Sequence, residues 1–236
     1  MLKKYDFKYF FVLLILLTGI IFRVLSFFIE EKTPAEKVFG DSIQSVVEIK
    51  AQTDDVGESF GTAVFVKNNG TLVTNAHVVT YKDAGETHIF EKIEIRFSFE
   101  ENYRKITLVK YDLEKDLAVL KLVDTNCKFK AVKFADSSKL KAGNQVYAVG
   151  NLSNVGISVT EGIVSNPNIN VEHNGQVRNA IQCDLTIAEG NSGGALFDKK
   201  GKLVGITTFR LKDNSKNVIY GICYVVPVNE VVEYIN

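Results

Sequence analysis

The sequence of 236 residues is poor in cysteine and has no excess of charge of either sign. Its three cysteines, Cys127, Cys183 and Cys223, are an odd number, which argues against a disulfide framework and allows one bridge at most. None has CxxC or Cys/His spacing, which argues against a zinc site. Cys183 and Cys223 lie in apolar runs and are expected to be buried. The 28 basic and 28 acidic residues are interspersed without a basic patch, so nucleic-acid binding is not expected.

One long hydrophobic run lies at the N-terminus, over residues 9–29. Its 21 residues match the roughly 20 that are needed to cross a bilayer. Three lysines precede the run, so residues 1–8 are predicted to be a cytoplasmic tail and everything after about residue 30 to be extracytoplasmic. A cleaved signal peptide with residues 9–22 as its apolar core is the alternative, but no small-residue cleavage site follows. We therefore predict an uncleaved transmembrane signal anchor over residues 9–29.

Beyond the apolar run, the sequence is typical of an all-β protein. Residues 30–39 are charged, contain Pro34 and are expected to form a linker. No helical pattern appears between residues 60 and 225. Short apolar or alternating runs separated by turn signals predict a sandwich or barrel. The predicted strands begin at 46–49 and include 61–66, 93–97, 117–123, 145–150, 157–164, 180–184, 203–209 and 220–226.

Two further segments organise the chain. Residues 125–141 have weak strand signals and are expected to connect two lobes. Residues 228–235, after Pro227, are predicted to form a short helix with Asn229 as a cap near its start.

The segment Gly190-Asn191-Ser192-Gly193-Gly194 is the first candidate for a chemical site. Glycines permit backbone conformations that are closed to other residues and let a ligand approach closely. Such a turn can direct the backbone N–H groups of Gly190 and Ser192 at one point, as an oxyanion hole. The segment alone does not exclude an ordinary glycine-rich hairpin.

A serine nucleophile needs a base, and the base needs an orienting group. His77 follows an apolar strand in the string TNAHVV, whereas His88 and His173 lie in polar turns and are expected to be solvated. Asp116 begins the apolar run DLAVL, and a carboxylate at the edge of a buried strand needs a partner such as an imidazole N–H. Asp112 is the competing carboxylate, in a more exposed context. The order His, Asp, Ser predicts a site for nucleophilic catalysis.

These motifs together resemble chymotrypsin-fold serine endopeptidases, and within them the HtrA/Deg group. The resemblance covers most of residues 40–230. It rests on TNAHVV around His77, DLAVLKL from Asp116, GN at 150–151, VTEGIVS from Val159, IQCDLTIAEGNSGGALFDKKGKLVGI from Ile181, and GICYVVP ending at Pro227.

The resemblance implies two six-stranded antiparallel β-barrels with the active site in the cleft between them. The first would span residues 40–130 and carry His77 and Asp116, and the second would span residues 131–236 and carry Ser192. The matching oxyanion-hole positions would be Gly190 and Ser192.

The resemblance also implies the substrate contacts. Thr208 would match the hydroxyl residue that supports the aspartate, and Thr208, Phe209 and Arg210 would form the strand edge that pairs with substrate backbone. Thr186 matches the floor of the primary specificity pocket and is not acidic, so cleavage after Lys or Arg is not expected. Ile187 beside it favours a small apolar pocket for Val, Ala or Ile.

Three features depart from the family pattern. Asn191 stands where digestive relatives carry an aspartate that pairs with a freed N-terminus, so control through loop ordering is expected. Because the chain ends directly after the second barrel, PDZ-based substrate capture is not expected, and the trimer common in the group is left open. Residues 81–91 form an inserted loop without a matching motif.

The function implied is that of a membrane-anchored, extracytoplasmic serine endopeptidase acting on exposed or misfolded protein segments. A non-catalytic or activator-dependent peptide-binding module on the same fold is the alternative, and an esterase or acyl transferase with the same triad is a third. No cofactor or metal is implied. The expected partners are protein or peptide substrates and the membrane, and homo-oligomerisation is left open.

Overall fold

A computed structural model describes residues 7–28, 31–173, 175–212 and 218–236. The chain divides into two compact units, the first ending at Thr33 and the second spanning Pro34–Asn236. The first unit contains helix α1 (Phe7–Phe28), and residues 1–6 of the predicted tail lie outside the described residues. Among the described residues, no helix combines the length and the hydropathy required to span a membrane.

The second unit opens with helix α2 (Pro34–Ser42), so most of the predicted linker is helical. Pro34 occupies its first turn, where its fixed φ suits a helix and its missing N–H costs no hydrogen bond. Val38 on this helix is only 2% exposed and packs into the hydrophobic core, which explains why the charged segment is ordered.

The first barrel is closed by six antiparallel strands in the order β1-β2-β3-β8-β7-β6. A short helix, α3, follows β3, and a separate two-stranded hairpin, β4-β5, follows α3. The elements are β1 (Val46–Thr53), β2 (Gly57–Lys67), β3 (Thr71–Thr74), α3 (Ala76–Val79), β4 (Thr80–Asp83), β5 (Glu86–Ile89), β6 (Lys92–Arg96), β7 (Arg104–Asp112) and β8 (Leu117–Leu122).

The second barrel is closed by six antiparallel strands in the order β10-β11-β14-β13-β12-β9. It is followed by helix α4. The elements are β9 (Gln145–Asn151), β10 (Ile157–His173), β11 (Gln176–Asp184), β12 (Ala195–Asp198), β13 (Leu203–Lys212), β14 (Val218–Pro227) and α4 (Val228–Ile235). The two closed six-stranded barrels agree with the all-β fold class that the sequence predicts.

The two faces of strand β8 pack into different hydrophobic cores. Along β8, Leu120 points into the first barrel, while Val119 joins a core shared with residues of the second barrel. Both faces of this strand are buried, which is why its sequence is almost continuously apolar.

Cys183 and Cys223 are fully buried, as the sequence predicts, and lie directly opposite each other on β11 and β14 as free thiols.

Several elements differ from the sequence prediction. Strand β7 was not predicted, because only one of its nine side chains is buried and the others lack a regular alternation. The inserted loop of residues 81–91 forms most of the β4-β5 hairpin, which turns at Ala84 and Gly85, both with positive φ. Asn229 does not cap α4: its amide accepts from the Ser137 N–H, so it ties the helix to the segment that connects the barrels.

Candidate active site

His77 is placed by the short helix that follows β3. Its Nδ1 lies 2.9 Å from Asp116 Oδ2 and 3.0 Å from Oδ1, and its backbone N–H donates to the same carboxylate. The imidazole contacts Asp116 through its Nδ1 edge, and 49% of its side chain remains exposed. His88 stacks on Tyr81 in the β4-β5 hairpin and does not share this arrangement.

Asp116 lies just before β8, and its side chain is only 7% exposed. Its φ is +52°, in the left-handed region that Asp tolerates better than most residues. The buried side chain of Asn75 donates to the Asp116 carbonyl oxygen at 2.8 Å, which stabilises this backbone conformation. Asp112, the competing candidate, instead accepts from the Lys115 N–H within the same turn.

The Asp116 carboxylate is held in its ionised form. Burial is the largest influence and raises its pKa, but the hydrogen bonds and charge of His77, with the Thr208 hydroxyl, outweigh it. Thr208 Oγ1 donates to Asp116 Oδ2 at 2.6 Å. The pKa of Asp116 therefore lies below its ordinary value, and the carboxylate can accept the His77 Nδ1–H at neutral pH.

The serine loop joins β11 to β12 in the second barrel. The Asn191 N–H donates to the Ala188 carbonyl oxygen, and Gly190 has φ +90°, as the third residue of a type II turn requires. A side chain at Gly190 would collide with the Asn151 carbonyl oxygen. Within the described residues, neither the Gly190 N–H nor the Ser192 N–H has a hydrogen-bond acceptor. Both donors are therefore available to a ligand.

The first barrel anchors this loop through Thr62 on β2. Its N–H donates to the Ser192 carbonyl oxygen at 2.8 Å, and its hydroxyl donates to the Gly190 carbonyl oxygen at 2.7 Å. These bonds hold both carbonyl oxygens against the first barrel. Sequence reasoning missed Thr62, since a threonine within an apolar strand gives no signal of such a role.

The Ser192 hydroxyl lies in the same cleft as His77, but the two described side chains are not hydrogen-bonded. Ser192 Oγ instead donates to the Thr208 carbonyl oxygen at 3.1 Å. Thr208 thus contacts Asp116 through its hydroxyl and Ser192 through its carbonyl.

The cleft has a cavity of about 580 Å³. Of the predicted site residues, His77, Asp116, Ser192, Ile187, Thr208, Phe209 and Arg210 line it. Thr186 is exposed and is not among the lining residues. Tyr81, Lys82 and Thr87 of the inserted hairpin also line the cavity, as do Gln176 and Arg178 of β11, and the sequence did not predict any of these five.

The comparisons with known proteins agree with this geometry. A family model described as a trypsin-like peptidase domain matches residues 61–206, from β2 to β13. The chain therefore belongs to the trypsin-like peptidase domain family.

Within that family, its relatives are HtrA/DegP-type serine proteases. The chain is 35% identical over 190 residues to a probable serine protease do-like of Buchnera aphidicola, covering 78% of this chain and 37% of that protein. It is 36% identical over 169 residues to a probable periplasmic serine endoprotease DegP-like of Bartonella henselae, covering 72% and 31%. The chain thus spans about a third of the length of these relatives. The solved structure of the HtrA-type protease AlgW with tripeptide superposes with a TM-score of 0.73 at 29% identity, covering 86% of this chain and 62% of that one.

Proposed function

We propose that the protein is a serine endopeptidase in which Ser192 attacks the substrate carbonyl, His77 takes the proton and Asp116 orients the imidazole. The observation that carries this proposal is the buried Thr208–Asp116–His77 hydrogen-bond chain, which ends at an exposed imidazole in the same cavity as Ser192. An ionised carboxylate at Nδ1 fixes the tautomer that leaves Nε2 free to accept a proton, and it stabilises the imidazolium that forms.

Substrate binding would bring the serine to its base. The Thr208 carbonyl that accepts from Ser192 Oγ lies on the strand that we propose as the docking edge for substrate, Thr208 to Arg210. A substrate backbone N–H that binds this carbonyl competes with the Ser192 hydroxyl. Rotation about one side-chain bond then moves the hydroxyl toward His77, since catalytic hydrogen bonds often form only in the substrate complex.

The free N–H groups of Gly190 and Ser192 would stabilise the tetrahedral intermediate. We expect Gly190→Ala to reduce kcat by about 10²–10³-fold, because a β-carbon clashes with the Asn151 carbonyl and forces the turn to rearrange. Steady-state kinetics on a peptide substrate provide the measurement. Gly201→Ala is the matched control: its φ is +71°, but a β-carbon there meets nothing within 4 Å. Unchanged kcat in Gly190→Ala would remove Gly190 from the proposed oxyanion hole.

The proposed substrates are exposed segments of proteins, cleaved after small apolar residues. Ile187 contributes an apolar wall to the cavity, whereas Glu189 at the edge is acidic and exposed. Thr186 does not line the cavity, and the acids that do are the exposed Glu189 and Asp116, which is bonded to His77, so a basic side chain would find no unpaired buried carboxylate there. The names of the relatives, serine proteases and endoproteases, support an endopeptidase.

The full chain incubated with an unfolded protein should therefore produce fragments, and mass spectrometry of their ends should show Val, Ala or Ile before the cleaved bonds. A fluorophosphonate probe should label Ser192 during the same incubation. Fragments that end in Lys or Arg would contradict the apolar pocket. Absence of both hydrolysis and labelling, with and without added peptides, would refute the peptidase.

The second candidate, an activator-dependent or non-catalytic peptide-binding module, is favoured by one observation. Ser192 is bonded to Thr208 rather than to His77. If an activator is needed, labelling of Ser192 should appear only after a peptide is added.

We also propose that the N-terminal segment attaches the protein to a membrane and that the barrels lie outside the cytoplasm. The support is the apolar run in the sequence and the exposure of apolar side chains along α1, such as Phe11, Leu14 and Ile20. The word periplasmic in the name of the Bartonella henselae relative supports the location. When membranes are washed with alkaline carbonate and sedimented, the protein should remain in the membrane pellet. Release of the protein into the supernatant would contradict the membrane anchor.

A further inference from the structure

Arg178 lies near the start of a strand but is largely buried, and its contacts include Leu113, Gln176 and Asp116, which line the cleft. Arg178 lies on β11 of the second barrel, and its side chain is only 14% exposed. Its guanidinium donates to the Glu114 carbonyl oxygen through Nε and to the Leu113 carbonyl oxygen through Nη2, each at 2.7 Å. Nη2 also donates to Gln176 Oε1 at 2.8 Å.

The two carbonyls belong to the turn of the first barrel that leads into Asp116. The remaining guanidinium nitrogen, Nη1, lies 4.0 Å from Asp116 Oδ2. One side chain of the second barrel therefore holds the backbone just before the carboxylate and places a cation beside it. The planar fork of arginine allows this set of contacts, which a lysine ammonium cannot reproduce.

The turn needs such support. Asp116 has a positive φ, and the turn residues Leu113 and Glu114 are exposed, with carbonyl oxygens that accept hydrogen bonds from the Arg178 side chain. Small displacements matter, because a reacting group misplaced by about 1 Å can cost about 10²-fold in rate. A shift of the turn would move the carboxylate away from His77 Nδ1.

We propose that Arg178 is a positioning residue for the catalytic site, which clamps the turn at Leu113 and Glu114 across the interface of the barrels and so keeps the Asp116 carboxylate aligned with His77. This inference rests on the proposed function of Asp116 and His77. Arg178 acts through Asp116 and contacts no reacting atom.

The test compares Arg178→Met, which removes both charge and fork, with Arg178→Lys, which keeps the charge. In the full chain, Arg178→Met should lower kcat by about 10–100-fold and change KM much less, because a side chain that acts through Asp116 affects the chemical step more than substrate binding. Arg178→Lys should recover part of the loss. In the proton NMR spectrum, the low-field signal of the His77 Nδ1–H bonded to Asp116 should shift or vanish in Arg178→Met.

The matched control is Arg104→Met. The Arg104 guanidinium donates two hydrogen bonds to the Glu100 carboxylate, both at 2.8 Å, but Arg104 lies on β7 and does not line the cleft. The Arg104→Met variant should have the kcat and the low-field signal of the wild type. If Arg178→Met keeps wild-type kcat and an unshifted signal, the inference is wrong even though the peptidase stands. If the wild-type chain shows the low-field signal but hydrolyses no substrate, the proposed function is wrong. The positioning role of Arg178 is then decided by the NMR comparison of the wild type with Arg178→Met.

Discussion

Replacing Ser192 with alanine is expected to lower kcat by about 10⁶-fold, the largest effect of any single change in this protein. The Ser192 hydroxyl is the only nucleophile in the proposed mechanism. Without this hydroxyl, His77 has no proton to accept and no bond to the substrate carbonyl can form. The fold should be unaffected, because Ser192 Oγ makes a single hydrogen bond, to the Thr208 carbonyl oxygen, at the edge of an open cavity.

The measurement is hydrolysis of an unfolded protein by equal amounts of wild-type and variant chain, with thermal unfolding as the check on folding. Ser138→Ala is the control, since its hydroxyl bonds Asp136 in the connection between the barrels, outside the cavity. It should retain full activity. If Ser192→Ala still hydrolyses the substrate at the wild-type rate, Ser192 is not the nucleophile and the proposed mechanism is wrong.

Asp116→Asn should lower kcat by about 10⁴-fold with little change in the backbone. Asparagine also tolerates a positive φ, so the strained position before β8 is kept. The amide cannot supply the negative charge that stabilises the imidazolium, and its NH₂ group can face His77 Nδ1 and favour the wrong tautomer. The effect is therefore chemical rather than structural.

A matched control lies four residues earlier in the same turn. Asp112 Oδ1 accepts from the Lys115 N–H and does not touch His77, so Asp112→Asn should keep wild-type kcat. Similar losses in Asp112→Asn and Asp116→Asn would show that the turn as a whole, and not the Asp116 carboxylate, is responsible.

Acid stability gives Asp116 a second readout. Its pKa in the folded chain lies below the ordinary value, so its ionised form contributes stability at neutral pH that is lost as the pH falls. The loss should begin below about pH 4 and grow until the folded carboxyl is protonated. Thermal midpoints measured from pH 6 to pH 2 should therefore fall more steeply for the wild type than for Asp116→Asn. Parallel curves would contradict the depressed pKa.

The local choices at the site were predictable from the sequence. His77 was preferred over His88 and Asp116 over Asp112 because of the apolar strands beside them, and the structure brings the preferred pair into contact. The same local signals predicted the C-terminal helix over residues 228–235. In each case the chemistry of neighbouring residues in the chain was sufficient.

Other features could not be predicted in this way. Arg178 lies 62 residues from Asp116 in the chain, and no local pattern links a strand arginine to a distant turn. The hairpin from Thr80 to Ile89 has the composition of a loop, so its place along the cavity depends on the barrel that carries it. The expectation that Thr186 floors the pocket came from an aligned position, and the described cavity is lined by Ile187 instead.

The sequence by itself determined the all-β class, the order of histidine, aspartate and serine, and the glycines at which the serine loop can turn, because these depend on side-chain periodicity, residue chemistry and backbone freedom within a few positions. The tertiary structure decided which distant groups meet: Thr62 on the serine loop, Arg178 on the turn of the first barrel, and Thr208 on Asp116, a contact that the family resemblance alone had suggested. These contacts join the two barrels across the cleft, and their geometry is set by how two closed sheets pack together rather than by any short stretch of chain.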